Sequence, residues 1–459
     1  MYRQDTIVAP ATPSGQGAVA IVRLSGPRAI EILRRLWHPD YASDLRPRHL
    51  YIGEIRDPAT SAAIDRALAV IMPSPASLTG EDVAELQCHG GAFLTRRVLG
   101  LAIAEGARIA ERGEFSRRAF LNGRIDLTEA EAVADLVSAQ GEGALQQALN
   151  QLGGALKQRV SGLRREVVSI KAHLEVEIDF SDEDLKLPSR DEIAGQLERL
   201  AEDVRILHDS FARGRLMREG ARATIIGKPN AGKSTILNLL LGVERAIVTP
   251  YPGTTRDVIE DSIHLGPYPL VLQDTAGIRD GADPVERLGV ERTFHHAGEA
   301  DLLIAVFDSS RPLEDEDLRV LAACGTRAGV ALLNKSDLPA KLSLESLRDH
   351  GLQMPALAFS ALRAEGVAQL RDELVRALEA LAGDNRGDSV AISRERHQRA
   401  LAAALTALDA ARASTLEGMP PEIVAVDVTL ASDALGAITG EVSSEDVLDA
   451  VFGEFCIGK

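Results

Sequence analysis

Three cysteines in 459 residues, Cys88, Cys324 and Cys456, are too few and too far apart for a disulfide framework or a zinc site. No apolar run approaches the roughly 20 residues of a membrane span. The opening MYRQDTIVAP has no signal-peptide core. These absences lead to the expectation of a cytoplasmic protein with no membrane partner. Positive charge is also scarce: 51 Lys and Arg stand against 68 Asp and Glu, a net charge of −17. A protein that grips nucleic acid unaided is usually basic, so stand-alone RNA binding is disfavoured. Two local basic stretches, Arg213, Arg215, Arg218 and Arg222, then Arg394, Arg396 and Arg399, read as solvated linker charge rather than a nucleic-acid patch. Otherwise 45% hydrophobic and 26% charged residues describe an ordinary globular chain.

At about 150 residues per domain the length suggests three domains. Residues 1–120 alternate strand-like runs (18–24, 49–55, 67–72, 83–87) with turns, which predicts an α+β domain. From Thr128 the period changes. Leu145, Leu149, Leu152, Leu156, Val160, Leu163, Val167, Ile170 and Leu174 form one stripe at steps of three and four, which predicts a single long helix. A second stripe runs from Ile193 to Phe211. Residues 217–380 then alternate strands and helices, predicting a mainly parallel, doubly wound sheet with one antiparallel pair, 258–265 and 268–273. Helical pattern resumes over 381–459. The expected fold is therefore multidomain α/β plus α. It has an N-terminal α+β domain, a helical domain split into 121–216 and 381–459, and an inserted Ras-like P-loop domain.

Five motifs in one order carry the chemistry. GKPNAGKS from Gly227 lies between an apolar run and a helix-like run, the setting of a phosphate-binding loop. Asn230, Ala231 and Gly232 would turn backbone N–H groups onto phosphate oxygens, and Lys233, Ser234 and Thr235 open the helix. Lys233 suits the β- and γ-phosphates, and the Ser234 hydroxyl suits Mg²⁺. The second motif sits in Thr249, Pro250, Tyr251, Pro252, Gly253, Thr254 and Thr255. The third is Asp274, Thr275, Ala276 and Gly277, with Asp274 on the Mg²⁺ side and Gly277 offering N–H to the γ-phosphate. In the fourth, Asn334, Lys335 and Asp337 select the base. The Asp337 carboxylate accepts from N1–H and the 2-amino group of guanine, which adenine cannot supply. The Lys335 stem suits the purine face. In the fifth, Ser360, Ala361 and Leu362, the Ala361 N–H suits O6. The ligand is GTP.

Many GTPases place Gln directly after this third motif to orient water. Here Ile278 occupies that position. Hydrolysis then needs another residue, a partner or a cation. Asn230 suits a monovalent cation and equally suits a turn cap. Glu286 suits water positioning and is equally read as a surface carboxylate.

The sequence resembles the MnmE (TrmE) family of tRNA modification GTPases over nearly its whole length. The resemblance rests on DTIVAPATPSGQGAVAIVRLSG, TGEDVAELQCHGG, GEFSRRAFLNGRIDLTEAEAVADL, the motifs above, VERLGVER and the closing FCIGK. It implies a K⁺-dependent GTPase and a homodimer whose nucleotide domains pair. Asn230, Thr249, Tyr251 and Thr254 would hold K⁺, Ser234 and Thr255 would hold Mg²⁺, and Glu286 would be catalytic. It also implies that the N-terminal domain binds folate and dimerises. Arg23, Glu85, Arg124 and Lys459 would bind 5-formyl- or 5,10-methylene-tetrahydrofolate. Arg124 stands where relatives often carry Lys. An FAD-dependent partner, MnmG, would form a heterotetramer or larger complex with it. Together they would place an aminomethyl or carboxymethylaminomethyl group on carbon 5 of a wobble uridine in tRNA. The alternative is a ribosome-assembly GTPase acting as an RNA-binding switch, because the GTTRD form is shared with such proteins.

Overall fold

The computed structural model describes residues 4–41, 44–180, 187–243, 261–273, 297–383 and 390–459. Among these, 4–134 and 436–459 form one compact unit and 135–435 the other.

In the first unit a seven-stranded sheet has the order β3-β4-β5-β6-β2-β1-β7. Its strands are β1 (Ile7–Pro10), β2 (Gly17–Ser25), β3 (Trp37–Pro39), β4 (Tyr51–Arg56), β5 (Ala63–Met72), β6 (Val83–Gly90) and β7 (Arg108–Ile109). All neighbours are antiparallel except β1 and β7. Short β1, β3 and β7 were not legible as strands, because two to four residues give no period to read. The alternation within β2 and β6 sends Val22, Leu24, Ala84 and Leu86 to one face. There they pack against Ile32, Leu33 and Leu36 of α1 (Ala29–Leu36) and Val98 of α2 (Ala92–Ala104). The opposite face carries Arg23 and Glu85. The helix Glu445–Gly453 closes on α3 (Glu114–Leu121) and the start of α4 (Leu127–Ser138), burying Phe452 with Leu127 and Ala130.

The second unit joins a helical layer to a six-stranded sheet. The apolar stripe expected to be one helix is two, α5 (Glu142–Leu152) and α6 (Ala155–Asp179). Gly153 and Gly154 break it, with Gly154 at φ +82°, a conformation that favours glycine. The break rotates the apolar register. Leu145 and Leu149 are exposed, and Ala144 and Ala148 are buried in their place, whereas Leu156 to Leu174 are buried as expected. The second stripe forms α7 (Arg190–Asp209), opened by a reciprocal cap in which Ser189 N–H donates to Glu192 and Glu192 N–H to Ser189 Oγ. The short α8 (Phe211–Glu219) follows.

The sheet of this unit has the order β13-β12-β11-β8-β10-β9. Its strands are β8 (Ala221–Gly227), β9 (Asp261–Leu265), β10 (Tyr268–Gln273), β11 (Leu302–Asp308), β12 (Gly329–Asn334) and β13 (Ala356–Ala358). Only β9 and β10 pair antiparallel, as their Gly-Pro connection predicts. Central strands β8, β11 and β12 are buried on both faces, the state of a doubly wound sheet. One face meets α9 (Lys233–Val243) and α12 (Val367–Ala382), the other α10 (Asp315–Cys324) and α11 (Leu344–Asp349). The remaining helices α13 (Glu395–Leu416) and α14 (Pro421–Thr439) return to the helical layer.

The basic stretches are solvated only in part: Arg222 and Arg399 are exposed, as expected of linker charge, but three others pair internally. Arg394 is buried, its Nη2 2.7 Å from Asp135 Oδ1, and Arg218 Nε reaches the same oxygen at 3.2 Å. Arg215 pairs with Asp301 at 2.8 Å.

Candidate functional site

The phosphate-loop motif lies between β8 and α9, at the carboxyl end of the central strands, where such sheets bind ligands. Two backbone conformations shape it: Asn230 at φ +61° and Gly232 at φ +104°. A Cβ on Gly232 would also run into the Asn334 side-chain amide, so space as well as φ requires glycine there. Lys233 Nζ donates to the carbonyls of Gly227 (2.8 Å) and Lys228 (3.0 Å), which holds its ammonium inside the curve of the loop. Ser234 and Thr235 stand exposed in the first turn of α9.

Asn334 ties this loop to the base-selecting motifs. Buried at the end of β12, its Nδ2 donates to Ala231 O at 2.7 Å and its Oδ1 accepts the Ala361 N–H at 2.9 Å. The Ala361 N–H, expected to face O6 of a base, is therefore engaged by Asn334 in this structure. Ser360 Oγ donates to Asp337 Oδ1 at 2.6 Å and accepts the Arg363 N–H at 3.2 Å. The Ser360 hydroxyl holds the Asp337 carboxyl below its ordinary value, so it is an anion at neutral pH and can only accept. Leu362 projects into solvent, 84% exposed.

Two supporting residues were not singled out from the sequence. Lys228, inside the phosphate loop, is buried with its Nζ 2.8 Å from Asp317 and 3.2 Å from Glu314, the pair that caps α10. Asp308, at the end of β11, takes the Lys335 ammonium at 2.7 Å. Both positions had a readable signal: a charged residue at the carboxyl end of an apolar strand.

Residues Thr249, Pro250, Tyr251, Pro252, Gly253, Thr254 and Thr255 lie outside the described residues. So do Asp274, Thr275, Ala276, Gly277, Ile278 and Glu286. Among the described residues no cluster of three or more His, Cys, Asp or Glu side chains could hold a metal ion. The donors present, the Ser234 hydroxyl and the Asn230 amide oxygen, are hard oxygen ligands of the kind Mg²⁺ and K⁺ take.

A second cluster lies in the first unit. Arg23 on β2 and Glu85 on β6 are register partners, with Nε donating to Oε1 at 2.8 Å. The Arg23 guanidinium lies 5.9 Å from the centre of the Phe115 ring, and its Nη1 comes within 3.5 Å of the Gly458 carbonyl. The last residues dock here: Ile457 bridges to Arg112, and a Cβ on Gly458 would run into Pro10 O. Burial pushes the Lys459 ammonium below its ordinary value; nearby Arg23 pushes the same way, against the pull of Cys456. Arg23, Glu85 and Lys459 are thus brought together. Arg124 is exposed, with Cγ 3.3 Å from where a Cβ on Gly80 would lie, and no hydrogen bond or ion pair joins it to the other three.

Comparison with known proteins covers the whole chain. The family model "GTP-binding protein TrmE N-terminus" matches residues 6–124, and "MnmE helical domain" matches 127–456. The tRNA modification GTPase MnmE of Geobacter sulfurreducens is 42% identical over 459 residues, 100% of each chain. That of Natranaerobius thermophilus is 40% identical, covering 99% of this chain and 100% of its own. Among solved structures, Aquifex aeolicus Era bound to GDP and aluminium fluoride is 24% identical, with a TM-score of 0.28 over 41% of this chain and 66% of its own. The G domain of the T. maritima FeoB iron transporter is also 24% identical, with a TM-score of 0.25 over 35% of this chain and 99% of its own. On the full-length identities and the two family models, the chain belongs to the MnmE family of tRNA modification GTPases.

Proposed function

We propose that this protein hydrolyses GTP in a K⁺-dependent reaction and, with the FAD-dependent partner MnmG, modifies carbon 5 of the wobble uridine of certain tRNAs. The observation that carries the nucleotide reading is the Asn334 bridge, which joins the phosphate loop to the Asp337–Ser360 pair as one binding surface. Asp337 supplies an ionised acceptor for the guanine edge. Lys233 exchanges two backbone carbonyls for phosphate oxygens, at little cost in ordering because its stem is already inside the loop. Mg²⁺, held by Ser234 and Thr255, and K⁺, held by Asn230 with Thr249, Tyr251 and Thr254, would supply positive charge to the phosphates. Glu286 orients the attacking water, a task Ile278 cannot perform.

The Arg23–Glu85 cluster supports a tetrahydrofolate site for the one-carbon unit. A carboxylate suits the amino-pyrimidine edge of a pterin, and guanidinium and ammonium groups suit its glutamate tail. Exposed Ile52 and Leu68 are register partners on the open side of the N-terminal sheet, and exposed Val19 lies on β2. These apolar side chains support pairing with a second copy, hence a homodimer. The net charge of −17 fits a division of labour in which the partner contributes much of the grip on tRNA.

The alternative, a ribosome-assembly switch, calls for a basic RNA-binding surface. Of the arginines that were candidates for one, Arg218 and Arg394 turn onto Asp135 and Arg215 onto Asp301. The test is the wobble nucleoside of tRNA from a strain lacking this gene. The C5 substituent should disappear and return with the gene; unchanged tRNA together with a ribosome-assembly defect would favour the alternative.

A further inference from the structure

We infer that Asp308 is a positioning residue for guanine recognition, acting by holding Lys335 in the orientation that receives the base. The inference rests on the GTP-binding reading above. Lys335 sits at φ +64°, an uncommon backbone conformation for a residue with a Cβ. That conformation directs its side chain across to the end of β11, where Nζ meets Asp308 Oδ2 at 2.7 Å. Asp308 itself cannot swing away. Its side chain is 3% exposed, and its Oδ1 accepts from Ser310 N–H (3.0 Å) and Ser310 Oγ (2.6 Å). The next residue is tied as well: Ser309 N–H donates to Asn334 O at 2.9 Å, so the Asp308 turn and the base-selecting motif are clamped together.

The charge state suits the task. Burial pushes the Asp308 carboxyl up, but the bonds from Lys335 and Ser310 outweigh it and hold it below its ordinary value. A lysine stem has much rotamer entropy to lose on ordering. Ordered against a fixed carboxylate in the absence of ligand, that stem presents a flat apolar edge beside Asp337 and the base meets it without further ordering cost. Asp308 touches the ammonium, not the nucleotide. Its contribution is equal in ground and transition states and should appear in affinity, not in turnover.

The test uses the full-length protein carrying Asp308→Asn. Asparagine keeps the volume and an acceptor for Ser310, and loses the charge that holds Lys335. GDP affinity by calorimetry and KM for GTP should weaken roughly tenfold, the low end of what a hydrogen bond between charged groups contributes, as suits a lysine that is partly exposed. kcat at saturating GTP should stay within about twofold, and so should the ratio of GDP to IDP affinity, because a stem lying on the purine face does not sense the 2-amino group. Asp337→Asn, in contrast, should change that ratio. The nucleotide-free melting temperature should be unchanged, and in a Lys335→Met background Asp308→Asn should cause no further loss of affinity. Unaltered GDP affinity in Asp308→Asn overturns the inference. So does a loss matched by an equal drop in nucleotide-free stability, or one that persists in full in the Lys335→Met background. If the wild-type protein does not bind GDP, the GTP-binding reading falls first.

Discussion

Arg23 and Glu85 lie 62 residues apart in the chain and directly opposite one another on β2 and β6, Nε to Oε1 at 2.8 Å. The pairing places a guanidinium and a carboxylate side by side, both largely shielded from solvent, where the chain's last residues arrive. A ligand with a basic ring edge and an acidic tail needs both charges. The geometry therefore links the two ends of the sequence in one proposed pocket.

Deletion of the FCIGK segment tests that pocket. Formyl-tetrahydrofolate binding should weaken strongly and uridine modification should disappear, because Gly458 and Lys459 meet Arg23 within the same unit. K⁺-stimulated GTP hydrolysis should survive, since its proposed residues lie elsewhere in the chain. Calorimetry with the folate beside a GTPase assay separates these outcomes. Full folate affinity in the truncated protein would remove the tail from the pocket.

Guanine selection should pass through Asp337. Asp337→Asn should lower GTP affinity and shift preference toward xanthosine nucleotides, whose 2-oxo group needs a donor. In the wild type Ser360 holds the Asp337 carboxyl below its ordinary value, so the preference for guanine should be constant across the neutral pH range. Direct titration with GDP and XDP reads it, and equal GDP affinity in mutant and wild type would refute the assignment.

GTP turnover should be much faster in KCl than in NaCl at equal ionic strength. Asn230→Ala should abolish the difference, because it removes the proposed cation ligand at the left-handed turn of the phosphate loop. Equal rates in the two salts for wild type would exclude a K⁺ requirement.

Glu286→Ala should leave GDP affinity intact and slow hydrolysis by on the order of 10² or more, as loss of a water-positioning group does. Single-turnover kinetics with saturating enzyme measure the chemical step. A normal rate would return Glu286 to the role of a surface carboxylate.

The first unit should lose stability in acid through one buried network. Arg118, 2% exposed, meets Asp5 at 2.6 Å, Glu114 at 2.9 Å and Glu81 at 3.1 Å. Burial pushes the Asp5 and Glu114 carboxyls up, but bonds from Arg108 and Arg118 outweigh it and both are lowered. A lowered folded-state pKa contributes stability that is present above the unfolded value and is lost as pH falls through the folded one. Melting temperature should therefore hold from pH 7 to about 5 and fall below the ordinary carboxylate range of roughly 4. Arg118→Met should cost up to about 3 kcal/mol at neutral pH, because three carboxylates lose this guanidinium while Asp5 and Glu114 keep Arg108, and should flatten the acid limb. A pH profile identical to wild type in that variant would contradict the network's role.

Sequence alone determined the parts of this protein whose physics is local. The phosphate loop was legible because a left-handed turn and a close approach demand glycine at Gly232, and both demands leave a fixed spacing. The parallel sheet was legible because strands buried on both faces read as unbroken apolar runs. Periodicity also marked the helices, but it could not show that Gly153 and Gly154 split one stripe into two, turning Leu145 and Leu149 outward. That depends on what each helix packs against. Within the arginine stretches Arg394 misled for the same reason: whether it faces water or Asp135 is decided by a residue some 260 positions away. Only the tertiary structure could set Arg23 on Glu85, Asn334 between Ala231 and Ala361, and Asp308 beneath Lys335. Strand register and sheet order, not neighbouring residues, choose those partners, and a shift of one residue would send each side chain to the other face.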